Sequence, residues 1–400
     1  MLVREKYLEE IRGFYNSSLV KILVGIRRCG KSVILTQIIK ELKEKYQVDN
    51  DHIIDINFEF VEYEDLKDYK KLNKYIKEKI IDDKTYYVFL DEVQNVDNFE
   101  YVVNSLRASV PNLSIFITGS NSKMLSDELS SDLSGRYVLF KVYPLSYQEY
   151  VSYTKKDAYD MDTFWDYAKW GGLPQRLEFT KETDIKNYLL SVFDSIILRD
   201  IVKRLKLNDT VLFDMILQYL IDITGREFSC DNLIKYLETK GRKVSTQTIY
   251  TYLDALCKAF IIRKCYRYDV HGKAILKTLS KYYVTDLGIA QIKNTNKEFK
   301  NYLTLENIVY NELLVRNYEV YVGHTNAGEV DFVVKKDGNI KYIQVTYSLE
   351  DETTREREFN AFLPIKDNHP KYIISLDKLD YSQDGIKNIN LINFLMNEDF

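Results

Sequence analysis

The stretch from Gly25 to Ser32 reads GIRRCGKS and matches the pattern G-x4-G-K-[ST] of a phosphate-binding loop. An apolar run over residues 19–24 precedes it, and apolar side chains recur at helical spacing after it. In this context the glycines let the backbone wrap around phosphate groups, and the helix N-terminus directs its free N–H groups at them. We expect Lys31 to reach the β- and γ-phosphates and Ser32 to coordinate Mg²⁺. The stretch therefore predicts binding of ATP, with Mg²⁺ as cofactor.

The remaining residues of the loop are expected to line the same nucleotide. Gly25 and Gly30 supply the backbone turn, and Val33 follows directly in the first helical turn. Arg28 is expected to contact phosphate. For Arg28 and its neighbour Arg27 a second arrangement stays open, in which they only cover the outer surface of the loop.

A pair of acidic residues follows a second apolar segment. Residues 86–90 of TYYVFLDEVQ are aromatic and aliphatic, and the segment then reaches Asp91 and Glu92. A carboxylate at such a strand end orients Mg²⁺ and its waters in P-loop ATPases, which is the expected role of Asp91. Glu92 is placed to polarise the attacking water, which favours hydrolysis over binding alone. A plain turn is the alternative, and the upstream phosphate-binding loop makes it the weaker one.

Two later positions are candidates to complete the site. The apparent strand LSIFITGSNS ends in polar residues at 118–121, where many ATPases sense the γ-phosphate, and we favour Ser120 or Asn121. Arg136 precedes a fifth apparent strand and is an arginine-finger candidate, acting in cis or from a neighbouring subunit. A surface salt bridge is the alternative for Arg136. A role in trans would require a homo-oligomer.

Alternating strand and helix patterns over residues 1–152 must position these groups. HIIDINF, at 52–58, is a further apparent strand between the two motifs, so they do not lie on consecutive strands. The alternation predicts an α/β fold of the P-loop NTPase class, with a doubly wound parallel sheet and the nucleotide at the C-terminal strand edge.

Several motifs resemble a family of prokaryotic AAA-type ATP-binding proteins with an archaeal-ATPase-like core: GIRRCGKS, FLDEVQ, ITGSNSKMLSDELSSDLSGRY, YPLSYQEY and GGLP. The similarity continues through ILRDIVKR, KYYVTDLGI, ENIVYNELL and EVDFVV, so it spans nearly the whole chain. The resemblance implies an ATPase followed by a domain of unknown function, which itself resembles a winged helix joined to a restriction-endonuclease-like fold. It also implies Arg199 as a second candidate arginine. It does not fix a substrate.

A winged helix is predicted over 209–290, after a helical lid or linker over 153–208. Three helical patterns precede a strand–turn–strand pattern with Gly272 at its tip. Between residues 226 and 281, twelve lysines and arginines stand against five acidic residues, in a chain whose net charge is −4. Such charge suits phosphate contacts with double-stranded DNA, and protein contact is the open alternative. The residues expected to face DNA are Gln247, Tyr250, Arg263, Lys264, Arg267 and Lys273.

Residues 298–400 are predicted to form an α/β domain like the PD-(D/E)xK nucleases. Glu306 near a helix start and Asp331 at a strand start match two acids of that constellation. Gln344 and Thr346 share one face of the paired strand, where the pattern has an acid and a lysine. A second metal site made of Glu306, Asp331 and Gln344 stays open, but Thr346 cannot carry the charge of lysine. Three nearby lysines are candidates to replace it: Lys335, Lys336 and Lys341.

The composition is that of an ordinary globular protein, with 45% hydrophobic and 29% charged residues. No apolar run approaches the roughly 20 residues of a membrane helix. The cysteines at 29, 230, 257 and 265 form no CxxC pair, which argues against zinc and fits reduced thiols in the cytoplasm. We therefore expect a cytoplasmic protein without a membrane partner.

These patterns favour an Mg²⁺-dependent ATPase whose nucleotide state controls DNA binding through a winged helix and a degenerate nuclease-like domain. One alternative is an ATP-licensed DNA endonuclease. The other is an ATP-gated signalling switch that recruits protein partners.

Overall fold

A computed structural model describes residues 2–120, 133, 135–202, 209–293, 301–326 and 328–397 of the 400-residue chain. Within residues 198–200, 277–278 and 301–302 only the backbone is described. The chain divides into two compact units. The first comprises Met1–Pro144 with Lys258–Phe260, and the second comprises Leu145–Cys257 with Ile261–Phe400.

The first unit is built on a five-stranded parallel sheet in the order β2-β3-β4-β1-β5. Its strands are β1 Val20–Val24, β2 Ile53–Asn57, β3 Tyr86–Asp91, β4 Leu113–Gly119 and β5 Tyr137–Lys141. The three central strands are buried along their whole length, whereas the edge strands β2 and β5 are only partly buried. Central strands of a parallel sheet are typically covered on both faces, which suits the mostly apolar residues of β1, β3 and β4. β4 lies between β1 and β3 in the sheet. The phosphate loop after β1 and the acidic pair Asp91–Glu92 at the end of β3 are therefore two strands apart, at the same edge of the sheet.

The helices of the first unit are α1 Glu5–Arg12, α2 Lys31–Glu44, α3 Tyr69–Lys79 and α4 Phe99–Ser109. The start of α3 is fixed by Asp68, whose carboxylate accepts the backbone N–H groups of Lys70 and Lys71. The start of α2 has no such side-chain cap, and Gly30 precedes it in a left-handed conformation with φ 101°. The first N–H groups of α2 are therefore not used by a capping side chain.

The second unit begins with helices: α5 Tyr147–Thr154, α6 Met161–Trp170, α7 Glu182–Ser195, a π-helical segment Ile196–Val202, α8 Thr210–Asp222, α9 Cys230–Thr239, α10 Thr246–Lys258, α11 Leu287–Lys293 and α12 Asn301–Val315.

Asp286, which is buried, joins two parts of this unit. Its carboxylate accepts the N–H of Gly172 at 2.8 Å and the N–H of Gly288 at 3.0 Å. A Cβ atom on Gly171 would lie 2.2 Å from Asp286 Oδ1, so the glycines of GGLP permit this close approach.

A seven-stranded sheet completes the second unit, in the order β12-β11-β10-β9-β8-β6-β7. Its strands are β6 Ile262–Asp269, β7 Ala274–Val284, β8 Glu319–Thr325, β9 Gly328–Lys336, β10 Asn339–Val345, β11 Lys371–Ser375 and β12 Ile386–Asn390, with helices α13 Glu352–Asn360 and α14 Leu391–Met396. β9 and β10 form the antiparallel hairpin expected around Asp337 and Gly338. The ring of Tyr283 on β7 stacks on Tyr310 of α12, with the ring centroids 4.1 Å apart.

This sheet contains strands from both regions that were predicted as separate domains. The hairpin of β6 and β7 was expected to be a separate wing within 209–290, apart from a domain over 298–400. Instead β6 pairs in parallel with β8, so the hairpin is the edge of the same sheet that carries Asp331 and Gln344. The sequence does not reveal this pairing because more than 50 residues separate the paired strands, Arg267 with Val322 for example.

Candidate functional site

The phosphate-loop motif turns between the end of β1 and the start of α2, as its sequence predicts. Gly25 lies against the chain after β5: a Cβ atom on Gly25 would be 2.1 Å from the carbonyl oxygen of Val142. The N–H of Val142 donates to the carbonyl of Val24 at 2.7 Å, which holds the two segments together. Gly30 at φ 101° and Arg28 at φ 67° are both in the left-handed region, which turns the loop into the helix. The loop can thus present backbone N–H groups and the N-terminus of α2 to a phosphate.

Lys31 is buried in the first turn of α2 and reaches back across its own loop. Its Nζ donates to the carbonyl oxygens of Gly25 at 3.1 Å and Ile26 at 3.2 Å. It also lies 4.0 Å from Glu92 Oε1. Ser32 is exposed and Val33 is half-buried beside it.

Arg4 was not predicted to have any part in this loop. Its side chain is buried, and its guanidinium donates to the carbonyl of Cys29 at 3.0 Å and to that of Tyr143 at 3.2 Å. Arg4 therefore supports the loop from behind. A single arginine before the first helix carries no motif that would reveal this contact.

Asp91 lies at the C-terminal end of β3, at the sheet edge where the loop also begins. Its carboxylate accepts hydrogen bonds from Asn57 Nδ2 at 2.9 Å and from the Thr118 hydroxyl. The register of β2 with β3, which places Asn57 beside Asp91, explains the first of these. Burial raises the pKa of Asp91 above its ordinary value, while hydrogen bonds from Thr118 and Ser32 act in the opposite direction. Ser32 and Asp91, the two predicted Mg²⁺ ligands, are thus brought together.

Glu92 follows Asp91 in a left-handed backbone conformation, with φ 56° and ψ 44°. Its N–H donates to Thr118 Oγ1 at 2.9 Å. Its carboxylate Oε2 accepts hydrogen bonds from Ser120 Oγ at 3.2 Å and from the Gln94 amide. Ser120, one of the two predicted γ-phosphate sensors, is therefore in the same cluster. The other, Asn121, lies outside the described residues.

Gln94 is a residue of this cluster that the sequence did not reveal. Its Nε2 bridges Glu92 Oε2 and Ser120 Oγ, the second at 3.3 Å. Its position two residues after Glu92 is the feature of the sequence that could have indicated this role. The turn over Val93–Asn95 directs its side chain back to the site.

Arg136 lies at the N-terminal end of β1, whereas the phosphate loop follows the C-terminal end of that strand. Its carbonyl accepts the N–H of Val20, the first residue of β1, at 3.0 Å. The phosphate loop follows the other end of β1, which at about 3.3 Å per residue is roughly 15 Å away. This placement does not fit the role in cis, and only the role in trans stays a prediction. The side chain of Arg199 lies outside the described residues.

The predicted DNA-facing residues of the second unit differ in how exposed their side chains are. Gln247 and Tyr250 are exposed on α10, Lys273 is exposed at the turn between β6 and β7, and Arg263 and Lys264 are half-buried on β6. Arg267 is a correction: it is only 8% exposed, with its guanidinium 2.7 Å from His324 Nδ1 and 3.4 Å from Glu227 Oε1. The Arg267 guanidinium is thus occupied by contacts within the protein. The alternation of β6 turns it inward, which its charge alone did not predict.

The three candidate ligands of a second metal line one pocket of about 630 Å³ in the second unit: Glu306 on α12, Asp331 on β9 and Gln344 on β10. Asp331 Oδ2 accepts the N–H of Val345 at 2.8 Å, and its own N–H donates to Gln344 Oε1 at 2.6 Å. Burial and the nearby Glu306 carboxylate raise the pKa of Asp331 well above its ordinary value.

The three hairpin lysines do not reach this pocket. Lys335 lies 3.9 Å from the ring centroid of Tyr268, Lys336 lies over the ring of Tyr318, and Lys341 donates to the Tyr318 hydroxyl at 3.1 Å. Lys281 of β7, a strand of the predicted wing, contacts Glu306, one of the acids that line the pocket, at 3.1 Å. Among the described residues, no group of three histidine, cysteine or acidic side chains has the geometry to hold a metal ion. A second metal site that includes Gln344 stays a prediction.

Comparison with known proteins agrees with this architecture. Residues 17–151 match a family described as an AAA domain, and residues 161–299 and 303–394 match two domains of unknown function, DUF8612 and DUF4143. The first match identifies residues 17–151 as an AAA domain, which agrees with the five-stranded parallel sheet and the phosphate loop of the first unit. An uncharacterized protein of Haemophilus influenzae is 36% identical over 403 residues, covering 99% of both chains. The chain belongs to the same protein family as this Haemophilus protein.

Two further similarities extend the comparison. An uncharacterized protein of Methanocaldococcus jannaschii is 29% identical over 387 residues, covering 93% of this chain and 84% of its own. Among solved structures, a Walker-type ATPase of Pyrococcus abyssi is 17% identical, with a TM-score of 0.49, and the match covers 73% of this chain and 96% of that one. In the part of the chain that the structure describes, no helix is both long enough and apolar enough to cross a membrane.

Proposed function

We propose that the first unit binds ATP with Mg²⁺ and hydrolyses it at the edge where β1, β3 and β4 end. The observation that carries this is the convergence of Lys31, Asp91, Glu92 and Ser120 at one sheet edge, next to an uncapped helix N-terminus. Lys31 exchanges its bonds to loop carbonyls for bonds to the β- and γ-phosphates. Gly25, Arg28, Gly30 and Val33 line the nucleotide.

Ser32 and Asp91 are the residues that would hold Mg²⁺, which neutralises charge on the β- and γ-phosphate oxygens when bound. Their mutual hydrogen bond brings together the two oxygen donors that such an ion needs. Glu92 acts as the general base that orients the attacking water and takes its proton. Ser120 and Gln94 hold the Glu92 carboxylate until a γ-phosphate competes for Ser120.

We further propose that the second unit binds double-stranded DNA through a winged helix. It would consist of α8, α9, α10 and the hairpin of β6 and β7. An antiparallel bridge joins Glu227, which lies between α8 and α9, to Lys281 of β7. Exposed Gln247 and Tyr250 on α10, with Lys273 and half-buried Lys264 on the hairpin, form one set of groups suited to a groove and its phosphates.

The nuclease-like pocket is proposed to be a scaffold that does not cut DNA. Thr346 stands where the pattern needs lysine, and the candidate metal ligands are bonded to one another and to neighbouring groups. Nucleotide state in the first unit would then regulate DNA binding by the second.

A pair of assays tests this function. Purified full-length protein should release phosphate from ATP only with Mg²⁺. It should also bind duplex DNA with an affinity that falls steeply with salt, by roughly 10³-fold or more between 50 and 200 mM if about six phosphates are contacted. Turnover without salt-dependent DNA binding would favour the switch that recruits protein partners. Plasmid cleavage that needs Asp331 would favour the endonuclease.

A further inference from the structure

A buried lysine contacts two of the acids that line the nuclease-like pocket, Glu306 and Glu329. Lys281 extends from β7 and is only 4% exposed. Its Nζ donates to Glu306 Oε1 at 3.1 Å and forms an ion pair with Glu329. Lys281 therefore bridges α12 to the start of β9, the two elements that carry the acids of the nuclease pattern.

Each candidate metal ligand is already bonded within the protein. Glu306 Oε1 accepts the hydroxyl of Tyr283 at 2.6 Å in addition to Lys281. Asp331 accepts the N–H of Val345. Gln344 accepts the N–H of Asp331 through Oε1, and its Nε2 donates to Glu358 Oε2 at 2.8 Å. One oxygen of each candidate ligand is therefore already engaged within the protein.

Charge explains why a cation is needed at this point. Taking a carboxylate out of water costs several kcal/mol unless a positive group compensates it. In a metal-dependent nuclease that compensation comes from a divalent ion and from the lysine beside it. Here the ion pairs of Lys281 with Glu306 and Glu329 place a positive group beside the carboxylates instead.

We propose that the Lys281 ammonium replaces the divalent cation of a nuclease site, and that removing its charge opens the pocket to a divalent metal. The missing lysine at position 346 is thus not compensated by a catalytic lysine elsewhere. Instead, a lysine on the edge strand holds the carboxylates together without a metal. The inference rests on the proposal that the pocket is nuclease-like, and it is independent of ATP and DNA binding.

The test measures Mn²⁺ binding to full-length protein by electron paramagnetic resonance, without nucleotide. All proteins carry Asp91→Asn, so that the first unit contributes no metal site. Lys281→Met keeps the length of the side chain and removes its charge, and Lys335→Met is the matched control on β9. We expect Lys281→Met to gain one Mn²⁺ per chain with at least tenfold tighter binding than its Lys281 parent. The Lys335→Met control should match the parent, and adding Glu306→Gln to Lys281→Met should abolish the gain.

Thermal unfolding keeps the test decisive if Lys281→Met folds poorly. Mn²⁺ should then raise its Tm or restore its folding, with no such effect on the parent. A folded Lys281→Met protein without new Mn²⁺ binding, or an unfolded one that Mn²⁺ does not restore, would overturn the proposal. Glu306-dependent Mn²⁺ binding by the parent would also overturn it. Plasmid nicking by native protein that Lys281→Met abolishes would instead make Lys281 a catalytic lysine, and would overturn the non-cutting function as well.

Discussion

Thr118 on β4 accepts the backbone N–H of Glu92 on its hydroxyl oxygen, at 2.9 Å. The same hydroxyl donates its proton to Asp91 Oδ1. The fully buried Thr118 side chain therefore orients both Asp91 and Glu92. Since neither bond involves a nucleotide, Thr118 fixes the geometry of the site before ATP binds.

Replacing this hydroxyl should slow hydrolysis more than it weakens binding. Thr118→Val keeps the shape of the side chain but leaves the Glu92 N–H unsatisfied, at a cost of about 1–3 kcal/mol. We expect kcat to fall by about ten- to a hundredfold through misplacement of Glu92, with a smaller change in KM for ATP. Steady-state phosphate release measures both constants.

A buried hydroxyl on the same strand provides the control. Ser114 lies at the other end of β4 and hydrogen-bonds Lys21 at 2.7 Å. Ser114→Ala should lower the free energy of unfolding but leave kcat near its native value. Equal kcat losses in the two variants would mean that Thr118 acts only through stability.

Glu92→Gln tests the general base directly. The amide keeps the size of the carboxylate but cannot accept the proton of the attacking water, so kcat should fall by roughly 10²–10⁴-fold. Binding of a fluorescent ATP analogue should remain, since Lys31 and the loop are intact. Glu44→Gln, at an exposed site near the end of α2, should change neither quantity. Turnover that survives in Glu92→Gln would exclude Glu92 as the base.

Lysines of the predicted wing should set the salt dependence of DNA binding. Lys264→Gln with Lys273→Gln removes two positive charges, so the slope of log K against log salt should become shallower by about two. Fluorescence anisotropy with a labelled duplex measures this slope. Lys366→Gln with Lys387→Gln removes two exposed charges elsewhere in the second unit and should leave the slope unchanged. Equal slopes for both double variants would contradict the wing as the DNA contact.

The buried carboxyl of Asp286 should make the second unit less stable as pH rises through mildly acidic values. Burial raises the pKa of Asp286 to about 6 from an ordinary value of 3.8. A carboxyl with a raised folded pKa retains its proton longer in the folded state than in the unfolded state. Its contribution to stability is therefore fully present below pH 3.8 and declines until about pH 6. The total loss is about 3 kcal/mol at most.

Tryptophan fluorescence during urea unfolding can measure this loss, because Trp165 and Trp170, the two tryptophans, both belong to the second unit. Asp286→Asn should be destabilised at acidic pH, since its amide nitrogen cannot accept the N–H of Gly172 or of Gly288 as a carboxyl oxygen does. The informative quantity is the slope: the native protein should lose stability between pH 4 and 6 relative to Asp286→Asn. Parallel curves would show that Asp286 does not titrate there.

The sequence predicted what depends on local pattern. The strand–loop–helix context around Lys31, the strand before Asp91 and the polar strand end at Ser120 are all where periodicity and motif spacing put them. Their meeting at one edge follows from the parallel sheet. Lys281 and Arg267 could not be placed in the same way, because their partners lie on elements far along the chain. Burial of a charged side chain depends on such distant partners, and single-sequence patterns do not record them.

Action of Arg136 in trans would mean that the proposed ATPase site is shared between subunits. Arg136 lies at the sheet edge opposite its own phosphate loop, since its carbonyl bonds the first residue of β1. A homo-oligomer would let it act on the site of a neighbour, where an arginine finger contributes about 10³–10⁵-fold to kcat. Arg136→Ala should therefore reduce turnover strongly without weakening ATP binding. Arg107→Ala is a control close by, because the positive charge of Arg136 contributes to lowering the pKa of Arg107.

Mixing variants separates action in trans from a structural role. Arg136→Ala and Lys31→Ala should each be nearly inactive alone. In a mixed oligomer, an intact loop from the first variant meets an intact arginine from the second, so part of the activity should return. Mixing Lys31→Ala with Glu92→Gln should restore none, since both changes damage the same side of the site. Native turnover by Arg136→Ala would exclude the arginine finger. Failure of the first mixture, with chains shown to associate, would exclude its action from a neighbouring subunit.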